Sequence, residues 1–80
     1  MLGDEHPIAA RSLENLAKTL LAMGRREEAL TAAQTALHNH EAKLGTAHFW
    51  TRASATTYAM ALRALDQDET AAAIADRFGL

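Results

Sequence analysis

Apolar residues recur three and four positions apart along almost the whole chain, and this spacing predicts four helices. In the first, Ala10, Leu13, Leu16, Ala17 and Leu20 follow Pro7, which suits the first helical position because its missing N–H has no partner there. Gly24 interrupts the pattern. A second helix opens near Arg25 or Arg26, with Glu27 and Glu28 at its positive end. Ala29, Leu30, Ala33, Ala36, Leu37 and Leu44 form its apolar face, and Gly45 suits the position just past its end. A third helix is predicted from about His48 to Leu65, with Ala55, Tyr58, Ala59 and Leu62 inward. Asp66-Gln67-Asp68 reads as a turn and N-cap. A fourth helix, from about Glu69 to Phe78, carries Ala71, Ala72, Ile74, Ala75 and Phe78 and is closed by Gly79. The expected core is Leu13, Leu16, Ala17, Leu20, Ala29, Leu30, Ala33, Leu37, Leu62 and Phe78.

The four helices fall into two copies of one unit. Leu2-Gly3-Asp4-Glu5-His6-Pro7 recurs as Leu44-Gly45-Thr46-Ala47-His48-Phe49, a shift of 42 residues. The same shift matches Ser12 with Ser54, Ala17 with Ala59, Leu20 with Leu62, Glu27 with Glu69, Ala29 with Ala71 and Ala33 with Ala75. Repeat 1 spans about 2–43 and repeat 2 about 44–80, all within a single domain. Leu2-Gly3 fills the slot that Leu44-Gly45 takes after the second helix. The chain is therefore expected to begin in frame with the tail of a preceding repeat, as the C-terminal piece of a longer array or a reduced relative of one.

Composition sharpens the fold class to all-α. Alanine supplies nearly half of the hydrophobic residues, leucine is next, and valine is absent; both of the former favour helix over strand. Cysteine is absent, so disulfides and thiolate metal sites are excluded. The formal net charge of −2 and the lack of any basic cluster longer than Arg25-Arg26 argue against a nucleic-acid partner. No apolar run approaches the ~18 residues of a membrane span. The acidic start lacks the positive region of a signal peptide. These absences point to a soluble, cytoplasmic protein.

In the first unit, Leu13-x-x-Leu16-Ala17-x-x-Leu20 precedes Gly24, Ala29 and Ala36. This pattern resembles the tetratricopeptide repeat. The preceding Leu2-Gly3-Asp4-Glu5-His6-Pro7 makes it look like the 42-residue variant found in kinesin light chains; the standard repeat has about 34 residues. The resemblance implies two tandem antiparallel helix-turn-helix units, a fragment of an α-solenoid, whose first helices line a concave groove for an extended peptide or a partner helix. By position, the implied groove face is Arg11, Glu14, Asn15, Lys18 and Ala22, then Ala53, Thr56, Thr57, Met60 and Arg63. Lys18 and Arg63 would hold carboxylates and Asn15 a backbone amide. The competing reading is a solvated polar face in which Glu14 pairs with Lys18 four residues on.

Further candidates for chemistry have ordinary explanations beside them. His38-Asn39-His40 spells a nuclease-like triplet, but positions i and i+2 of a helix point ~200° apart and cannot chelate one ion. A polar outer surface of the second helix accounts for them. His6 and His48 are repeat-equivalent: either a pH-sensitive site or a capping or inter-helix hydrogen bond at each junction. Asp66, Asp68 and Glu69 suit a helix start better than a cation site. Phe49-Trp50 replaces Pro7-Ile8 at the head of the third helix, either anchoring a partner or filling the gap between repeats. No catalytic residues, metal site or cofactor are expected. The chain reads as a protein-interaction module, with a structural oligomerisation or end-capping element as the alternative. Self-association as a homodimer, or contact with neighbouring repeats, is expected under both.

Overall fold

The computed structural model describes residues 6–80, and Leu2-Gly3 with its expected place at the end of a preceding repeat lies outside them. Among the described residues the chain is all-helical: α1 (Pro7–Ala22), α2 (Arg26–Leu44), α3 (Phe49–Ala64) and α4 (Asp68–Phe78). The helix starts and stops follow local chemistry. His6 and His48 are the N-caps of α1 and α3. Each accepts a backbone N–H two residues on through its Nδ1, from Ile8 at 3.1 Å and from Trp50 at 3.0 Å. The capping role holds for both, and it places the proton of the neutral ring on Nε2. Glu27 and Glu28 sit in the first turn of α2 and Lys43 in its last, each complementing the helix dipole.

Three helices end in the same hydrogen-bonded turn. Arg25 N–H reaches Leu20 O at 2.9 Å while Gly24 N–H reaches Leu21 O at 3.0 Å. Gln67 with Leu62, and Leu80 with Ala75, repeat the longer bond. This Schellman geometry requires a left-handed residue. Gly24 and Gly79 supply it at φ 80 and 66, but after α3 the slot belongs to Asp66 at φ 62. Asp66-Gln67-Asp68 makes the expected turn, yet the N-cap position falls to Gln67, whose side chain makes no capping bond.

Helices α1 and α2 pack together along the hairpin made by the turn at 23–25. Helix α3 packs on α2, α4 on α3, and α1 also meets α3. Ten of the fourteen buried apolar residues are alanines. Such small side chains let helix backbones approach closely, and the result is a slab of 33 × 27 × 16 Å. Ala17, Leu20, Ala29 and Ala33 form one cluster, Leu37, Ala55 and Phe78 a second, and Ala59, Leu62 and Ala71 a third. Half-buried Tyr58 touches all three.

The core differs from the expected set at three leucines. Leu16 is 47% exposed, and Leu13 and Leu30 are half-buried. Leu16 lies ~100° around α1 from Ala17, on the flank turned away from α3. Its repeat-equivalent Tyr58 has the first repeat to pack against and Leu16 does not.

Leu20→Ala is therefore expected to cost about 2–5 kcal/mol in urea denaturation, whereas Leu16→Ala should change stability by less than about 1 kcal/mol. Asp66→Gly should raise stability by about 0.5–1 kcal/mol, because glycine relieves the left-handed backbone that Gly24 occupies freely in the first repeat.

Candidate functional site

Arg11, Glu14 and Lys18 lie three and four residues apart, so they form a stripe along α1. This stripe borders α3. The Arg11 guanidinium lies 4.8 Å above the Trp50 ring. Lys18 Nζ is 3.1 Å from Glu14 Oε2, and Thr57 Oγ1 donates to the same oxygen at 2.7 Å. The Thr57 hydroxyl also lies 3.2 Å from Ala53 O; its single proton is better used on the charged and closer acceptor. Glu14 is only 4% exposed. A carboxylate this deep needs compensation, and Lys18 and Thr57 supply it.

Two expectations change here. Glu14 and Thr57, expected to line an open groove, are buried and bonded to each other across the α1–α3 seam. Lys18, which the groove reading leaves free for a carboxylate, makes the i,i+4 pair with Glu14 that the competing reading expects. Its side chain nevertheless remains 55% exposed, and an ammonium has three donors.

His40 forms the back wall. It is 1% exposed, against the expected polar outer surface for His38-Asn39-His40. Only His38 of the triplet is exposed; Asn39 is buried as well. His40 Nε2 is 3.0 Å from Pro7 O, and Nδ1 is 2.7 Å from Ser54 Oγ. A carbonyl only accepts, so Nε2 carries the proton and, in the neutral ring, Ser54 donates to Nδ1. One side chain of α2 thus ties down the first residue of α1 and the second turn of α3. Its ring also meets Trp50, with centroids 5.9 Å apart. Ser54 is fully buried, so this Ser–His pair is a tie inside the fold.

Between the stripe and the back wall opens a recess of about 150 Å³ lined by Arg11, Glu14, Lys18, His40, Phe49, Trp50 and Ala53. It brings together six of the residues expected from sequence to make a groove or an aromatic contact: Arg11, Glu14, Lys18, Phe49, Trp50 and Ala53. Asn15, Met60 and Arg63 are exposed but do not line it. Two cations against one carboxylate leave the recess net positive. Phe49, 76% exposed, provides an apolar lip. The arrangement suits an anionic group next to an apolar one. Sequence reading missed His40 and Ser54. The recurrence of Ser12 as Ser54 was a signal for the serine, and the 3–4 spacing of His40 from Ala36, Leu37 and Leu44 was one for the histidine.

Among the described residues, no group of three or more His, Asp or Glu side chains is placed to hold a metal ion, and no helix is long and apolar enough to cross a membrane. Comparison of the chain with protein families, with curated proteins and with solved structures finds no match.

His40→Ala removes both directed bonds and leaves a cavity. It is expected to cost about 2–4 kcal/mol by chemical denaturation. Thr51 is a control, because it is fully buried with no hydrogen-bond partner at Oγ1. Thr51→Val should leave stability unchanged or raise it by up to about 1 kcal/mol, since a near-isosteric methyl replaces an unsatisfied hydroxyl.

Proposed function

We propose that this chain is a protein-interaction module of tetratricopeptide type that binds a peptide or partner helix across α1 and α3. The carrying observation is the open, net-positive recess between these helices, where Arg11 and Lys18 face the aromatic lip of Phe49 and Trp50. The pairing of α1 with α2, the glycine turn at Gly24 and the side-by-side meeting of α1 with α3 agree with this reading. An acidic side chain or a terminal carboxylate would accept from Arg11 and Lys18, and a neighbouring apolar side chain would lie on Phe49. Arg11 thereby takes the place expected for Arg63 as the second cation. The aromatic pair acts as an anchor at the mouth of the groove and also, through Trp50, as filling between the repeats.

Trp50 is the chain's only tryptophan, so its emission reports occupancy of the recess directly. A peptide library screened at low and high salt is expected to yield acidic binders that perturb Trp50 emission and weaken as salt rises. Arg11→Ala and Lys18→Ala should each reduce affinity about 10-fold or more, the equivalent of one lost charge-assisted hydrogen bond. Arg63→Ala should leave it within about twofold, as expected of a side chain outside the contact. Binding that depends on Arg63 but not on Arg11 would place the site at the far end of α3 and overturn this assignment.

A further inference from the structure

The two repeats do not bury the same positions, and the differences are systematic. In α1, Ser12, Asn15, Leu16 and Thr19 are exposed, while their equivalents in α3 are buried or, for Tyr58, half-buried: Ser54, Thr57, Tyr58 and Ala61. These α3 residues pack against the first repeat. In the other direction, Ala10, Glu14 and Ala33 are buried in the first repeat, and Leu21 and Leu30 half-buried. Their equivalents Arg52, Thr56, Arg63 and Ala72 are exposed and Ala75 is half-buried. The outer flank of α1 thus corresponds to the surface by which α3 docks on repeat 1. The outer face of α3 and α4 corresponds to the surface that repeat 1 offers in return. The exposed large hydrophobic residues divide the same way, with Ile8, Leu16 and Met23 on α1 or its end, and Phe49, Met60 and Leu80 on α3 or just after α4.

We infer that the chain assembles head to tail, the outer flank of α1 in one copy docking on the α3–α4 face of the next, in the geometry that joins its own two repeats. The occupant is a second copy because three of the shifted contacts join compatible side chains; Arg52 and Arg63, in place of Ala10 and Leu21, are the shifted positions that differ in charge. Within the chain, Trp50 sits beside Arg11 and Glu14. At the shifted junction Ile8 of the second copy would meet Ala53 and Thr56. Those two residues line a recess of about 230 Å³ with Phe49, Arg52 and Leu80. An aromatic over a cation is thus replaced by an aliphatic in a recess whose apolar members are Phe49, Ala53 and Leu80. The buried Glu14–Thr57 hydrogen bond maps onto Thr56 and the second copy's Asn15, again a pair able to hydrogen-bond. Tyr58, packed against the cluster that holds Ala33, maps onto Leu16 against Ala75. A small residue lies under the large one in both cases.

This interface is heterologous, so an open assembly of any length keeps one free surface of each kind and does not stop at two unless a ring closes. It makes no use of Arg11 or Lys18, so the failure of peptide binding and the failure of assembly are separate results.

The full chain, measured by sedimentation over a range of concentration, should show a mass that rises beyond a dimer, or closes at a ring, as concentration increases. Leu16→Lys blocks the α1 flank and Ala72→Arg blocks the α3–α4 face. Both positions are exposed helix sites, and far-UV circular dichroism checks that each variant stays folded. Each variant alone should be monomeric, and an equimolar mixture should give a heterodimer of twice the monomer mass, because one open surface of each kind remains. A wild-type chain that stays monomeric at millimolar concentration overturns the inference. So does an Ala72→Arg chain that still dimerises, which would mean pairing of two α1 flanks.

Discussion

The fold depends on a buried polar seam where α1, α2 and α3 meet. His40 at its centre is bonded on one ring nitrogen to Pro7 O and on the other to Ser54. One turn further along α3, Thr57 binds Glu14. The surrounding core is mostly alanine. Alanine faces are smooth, with few protrusions to interlock, and one helix can slide on another with little change in buried area. Directed hydrogen bonds lack that tolerance. A shift of one residue along α3 would strand His40, Ser54, Thr57 and Glu14 without these partners at buried positions, at a cost of about 1–3 kcal/mol for each group. The seam thereby selects one register among many that apolar burial alone would accept.

The same seam builds the recess above it. Glu14 is held from below by Thr57 and holds Lys18 from above. Trp50 rests against the ring of His40 and that of its own cap His48, and presents its other side to Arg11. The cations at the mouth are thus positioned by groups that also stabilise the helix packing. This explains why a carboxylate is tolerated at such depth: its interaction with Lys18 and Thr57 offsets the desolvation that burial imposes.

Repetition in this chain preserves local geometry more faithfully than residue identity. The imidazole cap is conserved between copies as His6 and His48, and both make the same bond. The left-handed turn is preserved although Gly24 gives way to Asp66. What diverges is the lateral face, because each repeat has a different neighbour. The first presents Arg11, Glu14 and Lys18 to α3, while the second carries Ala53, Thr56 and Met60 at the matching positions. The charged recess therefore occurs at the internal junction, and the outer face of α3 carries its cations, Arg52 and Arg63, at other positions.

The four helices, their turns, most of the alanine and leucine core, and the stripe of Arg11, Glu14 and Lys18 are legible in the linear pattern. All of these follow from interactions within about one or two helical turns, which a linear pattern records directly. Tertiary structure alone decided that Glu14, His40 and Ser54 are buried and that Leu16 is exposed. The hydrogen-bond partners of those buried groups lie 14, 33 and 43 residues away, so helical spacing can place Glu14 and His40 on an inward face but cannot supply the partners that let polar groups stay there. Leu16 carries the apolar signature of a core residue, but burial also requires a neighbouring surface. In the folded chain that surface is present for Tyr58 and missing for its counterpart in the first repeat.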